Sequence, residues 1–235
     1  MGKLYLIPTP IGETASWDVT LPAENRRVLD EIGYFVVENT RTARRFLARS
    51  GVRRPIDELT FTELNEHTPP EEVAPMLEPL LEWGENIGVM SEAGLPCIAD
   101  PGALLVAAAH QHGVEVVPLV GPNSITLALM ASGANGQSFA FNGYLPVKGP
   151  ERQRAIRRFE RRAQEERQTQ IFIEAPYRNG RLFDDLLAVC QADTHLCVAC
   201  DLAEPEQYIR SQRIAEWKKG GTPPFEKRPA IFILF

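Results

Sequence analysis

Short apolar strands alternate with helical segments through the first half of this chain, and that rhythm leaves few architectures open. Strands are expected over residues 4–8, 34–38, within 55–61, 86–91 and 114–119. Helices fall between them, over 22–32, 40–50 and 101–111. Pro22 suits an early helical position, and Gly113 closes the last of these helices. Thr68-Pro-Pro-Glu71 reads as a capping box for one more helix, which Pro75 and Pro79 should kink or delay. Strands that alternate with helices imply a parallel sheet covered on both faces.

The second half keeps a different order. Helices are expected over 124–134, 149–166 and 179–191, with strands over 138–142, 170–174 and 196–202. Two further strands, over 207–213 and 229–235, follow without a full helix between them, so this half should hold a mixed sheet. The reading is α/β throughout, in two domains, 1–118 and 119–235, that part in the turn near residues 118–123. At 235 residues either domain can bury a core.

One loop stands out. In Asn86-Ile-Gly-Val-Met-Ser91 an apolar strand ends, and Glu92-Ala-Gly-Leu-Pro-Cys-Ile-Ala-Asp100-Pro-Gly102 leads into an Ala-rich helix. Gly and small residues let backbone approach a bulky ligand. Open parallel sheets bind ligands at the carboxyl ends of their strands, where this loop lies. It reads as a binding loop for a nucleotide-like molecule.

The net charge of −6 argues against a surface that grips nucleic acid everywhere, although a local basic patch acts through its local field. Two such stretches exist: Arg41, Arg44, Arg45, Arg49, Arg53 and Arg54, and Lys148, Arg152, Arg154, Arg157, Arg158, Arg161 and Arg162. Each reads as an RNA-backbone footprint or as a solvated helix face. Phe141, Tyr144 and Tyr177 are either base-stacking or core aromatics. No apolar run is long enough to span a membrane, and the N-terminus is too short before Pro8 and Pro10 for a signal peptide, so the expected compartment is the cytoplasm. Cys197 and Cys200 have metal-like spacing, with Cys190 and His195 near them. On a strand, positions three apart face opposite sides, so reduced core cysteines are the better reading and no metal is expected.

Several segments together resemble one family. They are Thr9-Pro-Ile-Gly12, Glu38-Asn-Thr-Arg41, Ser91–Gly102, Val117-Pro-Leu-Val-Gly-Pro-Asn-Ser124, Phe139–Lys148 and the weaker Glu174-Ala-Pro-Tyr-Arg178. In order and spacing the chain resembles the tetrapyrrole methylase superfamily, and within it the ribosomal RNA small-subunit methyltransferase I group, which methylates a ribose 2′-oxygen of a cytidine. It departs from that group at Glu13, Asn39, Glu92, Leu95, Asn123 and Tyr177, and ends at Phe235 without the group's extra C-terminal segment.

The resemblance implies S-adenosylmethionine as cofactor, held in a cleft between two domains of a homodimeric enzyme, with ribosomal RNA as substrate. Carried over by motif, Pro10 lies near the methyl donor. Ser91, Ala93, Gly94, Leu95, Pro96 and Ile98 cradle the sugar and methionine portion. Ser124 and Ile125 contact the ligand at a helix start, and Ala175 and Pro176 touch it from the second domain. Asp201, Leu202, Pro229 and Ala230 hold the adenine. A ribose hydroxyl is a weak nucleophile and gains from a nearby base. Glu38, Glu92 and Lys148 are candidates, with Arg41 pairing Glu38 or binding phosphate. Glu38 and Arg41 could equally form a purely structural ion pair. Three other readings stand beside this one: the same cofactor with a small substrate such as a tetrapyrrole, a nicotinamide or nucleotide binder, and a non-catalytic regulator. The nicotinamide reading lacks its Gly-x-Gly-x-x-Gly turn after the first strand.

Overall fold

The computed structural model describes residues 2–12, 14 and 17–235; Glu13, part of the first-loop motif, lies outside them. The chain divides into two compact units, Met1–Asn123 and Ser124–Phe235.

The first unit is built on β1 (Lys3–Leu6), β2 (Tyr34–Val37), β3 (Thr60–Glu63), β4 (Ile87–Met90) and β5 (Glu115–Pro118). All pair in parallel, in the order β3-β2-β4-β1-β5. Strand alternation sends each strand's apolar residues to two faces. Tyr5, Phe35, Val37 and Met90 join one core with Trp17, Val28, Leu29, Ala43 and Leu47. These come from the covering helices α1 (Trp17–Thr20), α2 (Ala23–Leu29) and α3 (Thr40–Ser50). Leu4, Val36, Ile87 and Val89 join the other core with Val73, Leu80, Leu105 and Ala109. Here the cover is α4 (Pro70–Val73), α5 (Glu78–Glu82) and α6 (Gly102–Gln111).

Local chemistry moved several boundaries. Pro75 and Pro79 break the expected helix after residue 69 into α4, a 3₁₀ turn at Ala74–Leu77 and α5. The Thr68–Glu71 capping box does not form. Thr68 Oγ1 instead accepts from the Asn65 N–H at 3.0 Å, closing a turn, and Pro69 takes the cap position without a side-chain bond. The strand sought within 55–61 starts later, because Ile56–Glu58 forms a 3₁₀ turn first. The short helix α1 left no periodic signal.

The second unit holds β6 (Phe139–Tyr144), β7 (Thr169–Ile173), β8 (His195–Cys200), β9 (Tyr208–Arg213) and β10 (Ala230–Leu234), in the order β6-β7-β10-β8-β9. Only β6 and β7 are parallel, so the sheet is mixed. Leu196, Val198 and Cys200 point with Phe172 and Phe232 toward α8 (Gly149–Glu165), α9 (Asn179–Val189) and the short α10 (Ile214–Trp217). Cys197 lies on the opposite sheet face from Cys200, and α7 (Ser124–Ser132) packs on β9 and β10. The two sulfurs therefore diverge. Burial pushes both thiols up, Cys197 to about 12 and Cys200 to about 11. Among the described residues no group of three His, Cys, Asp or Glu side chains converges. None of the described helices is long and apolar enough to cross a membrane.

Arg152, counted with the basic stretch, is not part of any surface. It is fully buried, its Nε donating to Asp185 Oδ2 at 2.6 Å and its Nη1 to the Val147 carbonyl at 3.3 Å. Nη2 approaches the same Asp185 oxygen at 2.5 Å without hydrogen-bond alignment. This pair ties α8 to α9. Removing the cation strands a half-buried carboxylate, so Arg152→Leu is expected to lower stability by about 3 kcal/mol. Urea unfolding measures it, and Asp185→Asn should lose at least as much, because it leaves the fully buried guanidinium without its counter-charge.

Candidate functional site

In the first unit every candidate residue lies at the carboxyl edge of the parallel sheet. The loops after β1, β4 and β5 are bound to one another there. Thr9 and Gly94 exchange two backbone hydrogen bonds, Thr9 N to Gly94 O at 2.9 Å and Gly94 N to Thr9 O at 3.2 Å. Gly94 has φ of +78°, a conformation that costs other residues, and a Cβ there would meet Ile11 Cγ2 at 3.1 Å and Pro122 O at 3.4 Å. The loop after β5 comes closer still. A Cβ on Gly121 would lie 2.2 Å from Pro8 Cβ, a contact that a stiff proline ring cannot relieve. These glycines let three loops stack at one spot, beside Pro10.

The loop after β4 carries its own brace. Cys97 N–H donates to both Asp100 oxygens, at 2.9 and 2.8 Å, and Gly102 N–H to Oδ1 at 2.8 Å. Between them, Cys97 and Ala99 are held at φ of 67° and 65°. The brace fixes the turn that displays Ile98, which is 44% exposed, and leaves Ala93 exposed and Ser91 and Leu95 partly so. Gly94 and Pro96 are buried beneath.

Glu38 directly follows β2 and faces this loop. Its Oε2 accepts from the Glu92 N–H at 2.8 Å, and the Glu92 carboxylate accepts from Thr42 Oγ1 at 3.2 Å. The structural ion pair between Glu38 and Arg41 does not form: Arg41 is exposed, and Glu38 is turned toward Glu92. Glu38 and Asp100 both line a small cavity of about 10 Å³, room for about one water. Burial raises the Glu38 pKa above the usual carboxylate range, and the neighbouring Asp100 and Glu92 charges add to it against the pull of the Glu92 N–H. Burial likewise raises Asp100, against its two backbone donors.

The second unit gathers its candidates by topology. β7 and β10 are antiparallel, as are β10 and β8, so the end of β7, the start of β10 and the end of β8 share one sheet edge. Ala175 and Pro176, Pro229 and Ala230, and Asp201 and Leu202 stand there. The parallel neighbour β6 ends on the same edge, through Tyr144 paired with Ile173, and leads to the exposed Lys148 at the start of α8. Asp201 N donates to the Pro229 carbonyl at 3.2 Å, and its side chain pairs with Arg228. Asn179 Nδ2 donates to the Arg228 carbonyl at 2.8 Å. Glu174 Oε1 receives Ala175 N at 2.8 Å and the Arg178 guanidinium at 2.6 Å. Glu174 Oε2 and Asn179 Oδ1 are buried acceptors without a partner. Sequence reasoning missed both, since nothing in a motif tells which oxygen is used. Ser124 and Ile125 open α7 and are partly buried. Tyr144 and Tyr177 are surface aromatics, 60% and 79% exposed, with the Arg178 guanidinium over the Tyr177 ring; neither is core.

The loop stack generates a direct expectation. Gly121→Ala should cost about 1–3 kcal/mol through overpacking against Pro8. Thermal unfolding checks the cost, and proteolysis should cut faster within residues 91–102, the loop that rests on the same stack.

The family model for tetrapyrrole (corrin/porphyrin) methylases matches residues 3–217. A relative from Vibrio cholerae, named ribosomal RNA small subunit methyltransferase I, is 34% identical over 213 residues, 91% of this chain and 69% of that protein. A relative of the same name from Thermotoga maritima is 31% identical, over 92% of this chain and 90% of its own. Another from Mesorhizobium japonicum is 39% identical over 88% and 66%. Among solved structures, the methyltransferase CobJ aligns with a TM-score of 0.64 at 19% identity, covering 99% of this chain and 94% of that one. The cobalt precorrin-4 methyltransferase CbiF aligns at 0.61 and 15% identity, over 99% and 94%. These structures share the fold. The chain belongs to the tetrapyrrole methylase family, among relatives of the ribosomal RNA small subunit methyltransferase I type.

Proposed function

We propose that this chain is an S-adenosylmethionine-dependent methyltransferase that modifies a ribose 2′-oxygen of small-subunit ribosomal RNA. The observation that carries the substrate is the shared name of relatives 31–39% identical over most of the chain. The same reading has it act as a homodimer in the cytoplasm, where ribosomal subunits are found.

The residues fit the cofactor. The glycine-built loop Ser91–Ile98 offers backbone and the exposed Ile98 side chain to a sugar and a methionyl chain. Asp201, Leu202, Pro229 and Ala230 offer backbone and apolar contact to an adenine. The orphan acceptors Glu174 Oε2 and Asn179 Oδ1, beside Ala175 and Pro176, suit a ligand rich in N–H and O–H donors. Ser124 and Ile125, at the start of α7, offer free backbone N–H groups to a carboxylate. When bound, S-adenosylmethionine supplies a methyl group already activated on a sulfonium.

The chain's own part is orientation and proton handling. On this reading Glu38, with its raised pKa, takes the hydroxyl proton as the oxygen attacks. Glu92 N–H holds Glu38 in place, and Arg41 and Lys148 supply charge for the phosphates that flank a ribose.

Two experiments test this reading. Incubation with labelled S-adenosylmethionine and unmodified small ribosomal subunits should place label on a 2′-O-methyl nucleoside. Label on a porphyrinoid in its place would select the small-molecule reading. Glu38→Gln should lower kcat about 10²-fold or more while cofactor affinity holds within a few fold. In the wild type the acid limb of kcat/KM should lie above the usual glutamate pKa, and the variant should lose it. A raised carboxyl pKa favours the folded state fully below the ordinary pKa, and that contribution is lost as pH climbs through the raised value. At neutral pH the variant should thus be at least as stable as the wild type, and a large loss of stability would mark Glu38 as structural.

A further inference from the structure

The structure separates the two basic stretches. On α8, Arg152 is a core residue, Arg162 pairs with Glu166 and Gln168, and Arg158 lies over the Phe159 ring at 4.7 Å. Arg161 faces Glu165 at 4.0 Å, Glu151 lies in the first turn, and Arg154 and Arg157 are exposed further along. That helix carries its charge among acids.

α3 is different. Its eleven residues, Thr-Arg-Thr-Ala-Arg-Arg-Phe-Leu-Ala-Arg-Ser, contain four arginines and no acid. Arg44 is held by Asp57 at 2.5 Å and lies against Phe61, and just beyond the helix Arg53 is near Asp30. Arg41, Arg45 and Arg49 are exposed, and among the described residues none has a hydrogen-bond or ion-pair partner. Their spacing of four puts them on one face, about 6 Å apart along the axis. Like charges at that spacing destabilise a helix, and no ion pair to a described residue offsets this row. The nearby carboxylates are engaged elsewhere: Glu63 accepts from Thr40 N, Glu92 from Thr42 Oγ1 and Glu38 from Glu92 N. The row also has direction. It starts at the turn hydrogen-bonded to the loop after β4 and runs away from it.

We propose that Arg41, Arg45 and Arg49 form the track along which the phosphate backbone of the RNA substrate lies as its target ribose reaches Glu38. The inference rests on the RNA reading above and assigns the polyanion to α3 and not to α8. Guanidinium groups suit this partner, since they bind phosphate oxygens two at a time. A protein of net charge −6 thereby concentrates positive charge in a row where a polyanion can lie.

The test is the salt dependence of binding to naked small-subunit ribosomal RNA, measured for the wild type, for Arg45→Gln/Arg49→Gln and for Arg154→Gln/Arg157→Gln on α8. Gln keeps helix propensity and these positions are exposed, so folding should hold. Each lost phosphate contact flattens the slope of log K against log salt by about 0.7–0.9. The α3 variant should therefore flatten it by about 1.4–1.8, weaken binding at low salt and leave S-adenosylmethionine affinity unchanged. The α8 variant should match the wild type. An unchanged slope for the α3 variant, or a flattened one for the α8 variant, overturns the track and leaves the RNA reading intact. A wild type whose weak binding shows no salt dependence overturns both.

Discussion

Two backbone hydrogen bonds between Thr9 and Gly94 hold the working end of the first unit together. They join the loop after β1 to the loop after β4, and the contact of Gly121 with Pro8 adds the loop after β5. A parallel sheet brings its strand ends to one edge, but it does not make the loops there touch. Here the missing Cβ atoms at Gly94 and Gly121 allow the stack. The brace of Asp100 on Cys97 and Gly102, and the turn of Glu38 toward Glu92, are then built against an edge that is already fixed.

The environment of Glu38 follows from that packing. A carboxylate at a strand end is usually wet. This one borders a one-water cavity beside a second carboxylate, and burial makes its charged form expensive. Such a group holds a proton more tightly than a surface glutamate, which makes it a better base near neutral pH. Functional sites commonly carry this kind of unfavourable electrostatics. Arg41 does not relieve it, because Arg41 is exposed and Glu38 is turned toward the Glu92 N–H.

Much of the fold was legible from periodicity and punctuation. Strand–helix alternation specified the parallel sheet, and the closely spaced late strands specified the mixed one. Elements shorter than a full pattern were not legible: α1 and α10 are four residues each. The Thr68 box failed because a threonine hydroxyl serves a turn as readily as a cap. For the candidate site, the motifs located loops but not partners. Nothing in Glu38-Asn-Thr-Arg41 tells that the acid will turn to a backbone N–H fifty-four residues away while the arginine stays free. Nor could the composition of the two basic stretches reveal that Arg152 is core. That depended on Asp185, one helix later, being placed to receive it.

We propose that S-adenosylmethionine is contacted by Ser91–Ile98 and by Asp201, Leu202, Pro229 and Ala230. Hydrogen–deuterium exchange of the whole protein, with and without saturating S-adenosylmethionine, tests it most directly. The account predicts slowed exchange in residues 91–102 and in 201–203 and 229–231, with α8 unchanged. Saturable binding that leaves those segments exchanging as before would contradict it.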